Sequence, residues 1–255
     1  MRTWMATAMA AVSVMTLGTA ALAQQQAAAP AAPTARGARP DTVAQGATEV
    51  FATMRDGVKL SGNLYLPASG KAPYPCIVTR TPYGKDEMYK DSRGAEGYTA
   101  AGYAFLVQDV RGKGRSEGFY SAFVNDRDDG FDTVEWMAKQ SWCNGKVGIT
   151  GPSAMGITGN LAAIANPPHL TAAFVVVAPT SMTAASFIGG AFKQKDVGDW
   201  SRDQGIAEDV IAQRAASYPY TAEAAAVDIQ RNAQFIDIPI YNLGGWYDIF
   251  NEGSV

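Results

Sequence analysis

Residues Gly145–Ala163 read GKVGITGPSAMGITGNLAA. Lys146–Thr150 is short and β-like, Gly151-Pro152-Ser153 is a sharp turn, and Ala154–Ala165 is alanine-rich and helical. In a strand-turn-helix context a Gly-x-Ser motif lifts the serine oxygen above the sheet at a helix N-terminus. There the backbone N–H of Ala154 faces any oxyanion formed at an attacked carbonyl. Gly156 follows the serine by three positions where the usual motif has two. The motif by itself leaves two readings open for Ser153, a nucleophile and a serine that starts a helix.

Outward from this stretch, short apolar runs alternate with longer helical ones. VFATM, KLSGNLYLP, YPCIVTR, YAFLVQDV, KVGIT, AAFVVVAP and IPIYNLG read as strands, and Asp86–Ala101, Asp128–Lys139 and Ala154–Ala165 as helices. Arg55-Asp56-Gly57 makes a hairpin turn between the first two strands. The later alternation predicts a mostly parallel sheet covered by helices on both faces. Residues 181–235 break the rhythm and read as a helical insertion over the carboxyl edge of the sheet, where α/β enzymes keep their sites. Asp126, Asp128 and Asp129 read as the cap and solvated first turn of a helix rather than as metal ligands.

Met1–Ala23 combines Arg2, an apolar centre and Ala21-Leu22-Ala23, the pattern of a secretory signal peptide; a membrane anchor and a buried helix are the alternatives. Residues 24–42 are rich in Ala, Pro and Gln and read as a disordered tether, which leaves 43–255 as the folded domain. The expectation is an exported protein, periplasmic or secreted, without a stable membrane anchor once the leader is cleaved. A net charge of −3 without a Lys/Arg run gives no footprint for nucleic acid. Export permits a disulfide, but nothing in the sequence places Cys76 and Cys143 within bonding distance, and two Cys with one His do not make a zinc site.

GPSAMG, together with RTPYGKD (Arg80–Asp86), QDVRGKGRSEG (Gln108–Gly118), DDGFDTVEWMAKQSWCNGKVG (Asp128–Gly148) and GGWYDIF (Gly244–Phe250), resembles the cocaine esterase and X-Pro dipeptidyl peptidase group of α/β-hydrolases. The resemblance covers Glu49–Val255. It implies an α/β-hydrolase fold with a helical cap insertion, incomplete at its carboxyl end, and hydrolysis of an ester, an amide or a short peptide without metal or cofactor. By the same resemblance Ser153 is the nucleophile and Asp248 the triad acid, while Tyr83 and the Ala154 N–H donate to the oxyanion. Members of the group carry Tyr after the nucleophile; with Ala154 the backbone donor survives and the acyl pocket loses an aromatic wall. Relatives that hydrolyse α-amino acid esters place acids two and three positions after the triad acid, where this chain has Phe250 and Asn251, with Glu252 next.

Read without the resemblance, Asp248 can begin a helix, Tyr83 can be a packing tyrosine, and RGKGRSEG is a structural loop tied down by Arg111 and Asp109. Phe187, Phe192, Trp200 and Tyr218 can wall an acyl pocket or form the insertion's own core. A serine needs a base, and the one histidine, His169, lies behind Pro167-Pro168 at the far end of the helix. At about 1.5 Å per helical residue it stands roughly 15 Å or more from Ser153. In this fold the order is Ser, Asp, His, so the base is expected beyond Val255, and the chain alone is expected to show little esterase activity and poor solubility. A non-catalytic binding protein that keeps the pocket is the second reading.

Overall fold

The computed structural model describes residues 43–89, 93–217 and 225–251. The leader and tether expected over 1–42, as well as Tyr218 and Glu252, lie outside the described residues. Seven strands form one sheet: β1 (Thr48–Thr53), β2 (Lys59–Tyr65), β3 (Tyr74–Thr81), β4 (Ala104–Asp109), β5 (Cys143–Pro152), β6 (Leu170–Val176) and, after the insertion, β9 (Ile240–Leu243), in the order β1-β2-β4-β3-β5-β6-β9. β1 and β2 form the antiparallel hairpin, β2 pairs antiparallel with β4, and the remaining pairs are parallel.

Alternation along β4 shows how the two faces are filled. Leu106 joins Val78, Val147 and Ile149 in the larger core, beneath α3 (Asp126–Ala138) and α4 (Ala154–Ile164). Phe105 and Val107 point the other way, toward Ala95 and Tyr98 of α2 (Arg93–Ala100). Every residue of β4 is buried, as expected of a central strand covered on both sides. Over β6 and β9 the second face is exposed among the described residues, and Phe174 and Tyr241 meet there as a tilted ring pair in contact with solvent.

Four expectations change. The helix expected over Asp86–Ala101 is two helices, α1 (Lys85–Met88) and α2, because Tyr89 leaves helical geometry and sets its ring edge-on against Phe105. The insertion, read as strandless, holds α5 (Met182–Ser186), a small hairpin of β7 (Phe187–Ile188) with β8 (Ala191–Phe192), α6 (Trp200–Asp203), α7 (Glu208–Ala216) and α8 (Ile229–Asn232).

The acid cluster is not a solvated first turn. Asp126 and Asp129 are buried, Asp126 pairs with Arg80 at 3.1 Å, and Asp129 pairs with Arg111 at 2.6 Å; exposed Asp128 faces Arg55 at 3.3 Å. Cys76 and Cys143, unplaced by the sequence, are joined in a disulfide, because the strand order sets β3 beside β5 with their Cα atoms 6.0 Å apart. Among the described residues no helix is long and apolar enough to cross a membrane.

Candidate active site

β5 ends at Pro152 and α4 begins at Ala154, so Ser153 alone makes the turn between them, at φ 54° and ψ −127°. That is a left-handed backbone in a residue with a Cβ, a conformation that persists only where the surroundings enforce it. Two backbone bonds do so. The Ser153 N–H donates to the Val176 carbonyl at 2.9 Å, and the Ser153 carbonyl accepts from Ile157 N at 2.9 Å.

The unusual glycine spacing has a steric cause. A Cβ on Gly151 would lie 2.6 Å from Met155 Cβ, and one on Gly156 would lie 2.7 Å from Ala178 Cβ, so α4 approaches its strands only with glycine at both places. Every residue of α4 is buried, and Thr158 Oγ1 donates to the Arg80 carbonyl at 3.0 Å, which locks the helix onto the end of β3.

Tyr83 sits on the loop that leaves β3. Its backbone N–H donates to Thr81 Oγ1 at 3.0 Å, and two residues on Lys85 N donates to Asp109 Oδ1 at 2.6 Å. The Lys85 side chain is fully buried and pairs with Asp86 at 2.8 Å and Glu49 at 3.4 Å, so the loop is anchored from below. Burial of Asp109 raises its carboxyl to about 6. The following loop is tied by Arg111, which bridges Asp56 and Asp129 at 2.6 Å each, and by Ser116 Oγ, which donates to the Asp109 carbonyl at 2.7 Å.

Ser153, Ala154 and Tyr83 converge on one cavity of about 90 Å³. The insertion forms its roof. Trp200 stacks on Phe123 with ring centroids 5.6 Å apart, and its indole N–H donates to Tyr83 Oη at 3.2 Å. With the phenolic oxygen accepting from Trp200, its own proton is available to point elsewhere. Of the four aromatic residues considered for an acyl pocket, Trp200 lines the cavity; Phe187 and Phe192 pack on each other across the β7–β8 hairpin, away from it. Phe123, Met182 and Arg214 also line the cavity, and no local pattern in the sequence points to them.

Asp248 lies on the loop after β9, half-buried, with Ile249 and Phe250 beside it in the cavity wall. Its Oδ1 accepts from Phe250 N at 2.8 Å, and Lys193 Nζ donates to the Ile249 carbonyl at 3.1 Å. Tyr83, Ser153 and Asp248 therefore all follow the carboxyl ends of parallel strands. His169 is at the opposite end of the sheet, just before β6. Its Nδ1 lies 2.9 Å from Glu135 Oε2, and its carbonyl accepts from Val147 N at 3.0 Å. Among the described residues no cluster of three His, Cys, Asp or Glu side chains is placed to hold a metal ion.

A mostly parallel sheet sandwiched by helices, with a serine on a strained turn between β5 and α4, is an α/β-hydrolase-type fold. Residues 56–228 match the family model for X-Pro dipeptidyl-peptidase (S15 family), and the chain belongs to that family. It is 33% identical over 197 residues to a cocaine esterase from a Rhodococcus species, an alignment covering 75% of this chain and 33% of the relative.

Two solved structures carry the same fold. A CocE/NonD family hydrolase from Staphylococcus aureus superposes with a TM-score of 0.64 at 25% identity, covering 75% of this chain and 39% of that one. An α-amino acid ester hydrolase superposes with a TM-score of 0.65 at 24% identity, covering 88% and 48%. The chain spans about a third of the length of the curated relatives it matches.

Proposed function

We propose that this chain carries the nucleophile and oxyanion hole of an exported serine hydrolase that cleaves esters or amides of small acyl groups. Ser153 Oγ attacks the substrate carbonyl as a base takes its proton. The carbonyl π electrons move to oxygen, and that oxyanion accepts from the Ala154 N–H and the Tyr83 O–H. Collapse expels the alcohol or amine, which leaves protonated, and water then releases the acid from Ser153 by the same steps. Asp248 orients the base, which we assign to a histidine beyond Val255, since His169 is held by Glu135 at the other end of the sheet.

The observation that carries this reading is the convergence on one cavity of strained Ser153, of Ala154 and of Tyr83, whose hydroxyl oxygen is already engaged by Trp200. Labelling with a fluorophosphonate followed by peptide mapping tests it. An adduct on Ser153 in the full-length product, absent from Ser153→Ala, is expected; no adduct defeats the enzyme reading. The 255-residue chain alone is expected to turn over p-nitrophenyl esters barely. Steady turnover that disappears in Ser153→Ala would refute the assignment of the base beyond Val255. A non-catalytic binding protein is the competing reading, favoured by the Asp248 carboxylate bonding its own loop at Phe250 N.

A further inference from the structure

Arg214 on α7 lines the Ser153 cavity, and its surroundings do not satisfy it. Among the described residues its side chain makes one long hydrogen bond, 3.4 Å from Nη2 to the Ala122 carbonyl, and pairs with no carboxylate. A guanidinium has five N–H donors, so most of this one's capacity is unused inside a mainly apolar cavity. Burial pushes it below its ordinary value, the mark of a cation short of anionic company.

The neighbouring acids do not answer it. Asp126 is engaged by Arg80 at 3.1 Å. Asp196 lies exposed in the cavity wall and makes no ion pair with Arg214. A second unsatisfied group stands close by. Tyr120 is 6% exposed, its hydroxyl has no hydrogen-bond partner among the described residues, and it lies within electrostatic reach of Asp126, Tyr83 and Arg214. The segment that carries Tyr120 also holds Phe123 at φ 65°, a left-handed backbone in the residue that stacks on Trp200. A half-buried cation held by one long hydrogen bond costs free energy that an anionic ligand in the cavity could recover.

We propose that Arg214 is a specificity-determining anion subsite of the Ser153 cavity, selecting esters or amides whose far end carries a carboxylate. The guanidinium takes the carboxylate through paired N–H donors. Substrates with an ammonium at that end are repelled. This deepens the hydrolase reading and rests on it for the identity of the scissile bond.

The test is ligand-observed NMR titration of the 255-residue chain, in a Ser153→Ala background, with monomethyl glutarate and dimethyl glutarate. The monoester is expected to bind about 10- to 100-fold more tightly than the diester. Arg214→Met should abolish that preference, and Arg214→Lys should keep part of it. Equal binding of the two esters, binding of neither, or a preference unchanged in Arg214→Met overturns the proposal. If Arg214→Met does not fold, the wild-type ratio and Arg214→Lys still decide. Because the titration involves no acyl transfer, a preference without a fluorophosphonate adduct on Ser153 would leave the subsite standing and remove the hydrolase. An adduct without a preference would do the reverse.

Discussion

The indole N–H of Trp200 donates to the phenolic oxygen of Tyr83 at 3.2 Å, a contact between residues 117 positions apart that joins the insertion to the proposed oxyanion hole. In a preparation with Ser153-dependent ester turnover, Tyr83→Phe is expected to lower kcat by ~10²–10³. Trp200→Phe keeps a ring against Phe123 but loses the N–H, and is expected to lower kcat by roughly 3- to 10-fold with little change in KM. A Trp200→Phe effect confined to KM would mean that the indole shapes the pocket and leaves the donor alone.

The glycines of the serine turn make a stability prediction. Gly156→Ala places a methyl 2.7 Å from Ala178 Cβ and 2.9 Å from the Gly151 carbonyl oxygen, neither of which is the end of a flexible side chain. The expected cost is ~1–3 kcal/mol, read as a fall of roughly 2–4 °C in Tm per kcal/mol. Gly97→Ala, inside α2 with open space around the new Cβ, is the control and should melt at or slightly above wild type.

These glycines also show how far the sequence carries. All seven sheet strands, the hairpin at Arg55-Asp56-Gly57 and the turn at Ser153 follow from local periodicity and turn chemistry. What eluded it is non-local. Asp126 and Asp129 look like a solvated helix start because Arg80 and Arg111, which bury them, come from the ends of other strands. The Cys76–Cys143 bridge depends on β3 lying between β4 and β5, an order no window of sequence encodes. The β7–β8 hairpin has two residues per strand, too few for a period of two to register. In the candidate site, the turn marks Ser153 and the family resemblance alone points to Tyr83 and Asp248, whereas Phe123 and Arg214 reach the cavity by tertiary packing alone.

Ser153 holds φ 54° at a cost that glycine does not incur. Ser153→Gly is therefore expected to melt higher than Ser153→Ala, by about 1 kcal/mol, although both remove the hydroxyl. Equal melting temperatures would show that the turn is not strained.

Asp109 makes stability depend on pH. Burial raises its folded carboxyl to about 6, above the ordinary value of 3.8, so between those values the folded state binds more protons than the unfolded chain. Its contribution is therefore present at acid pH and is lost as pH rises toward 6, by on the order of 3 kcal/mol. Urea titrations of wild type and Asp109→Asn from pH 4 to pH 7 should diverge in that window and run parallel above it. Asp86 acts in the opposite sense and lower down, because the Lys85 ammonium and the Asn63 amide hold its carboxyl below the usual value despite its burial.

β9 meets one neighbour, β6, among the described residues, and three of its four residues are exposed. The loop with Asp248 hangs from that short edge strand, while Ser153 is gripped between β5, β6 and a fully buried α4. The two limbs of the proposed triad thus belong to different tiers of local stability. Amide hydrogens around Ser153 should exchange only with global opening, and those of 244–251 with small fluctuations at the rim. Among the described residues, then, the nucleophile is held rigidly while the acid is left the freer of the two.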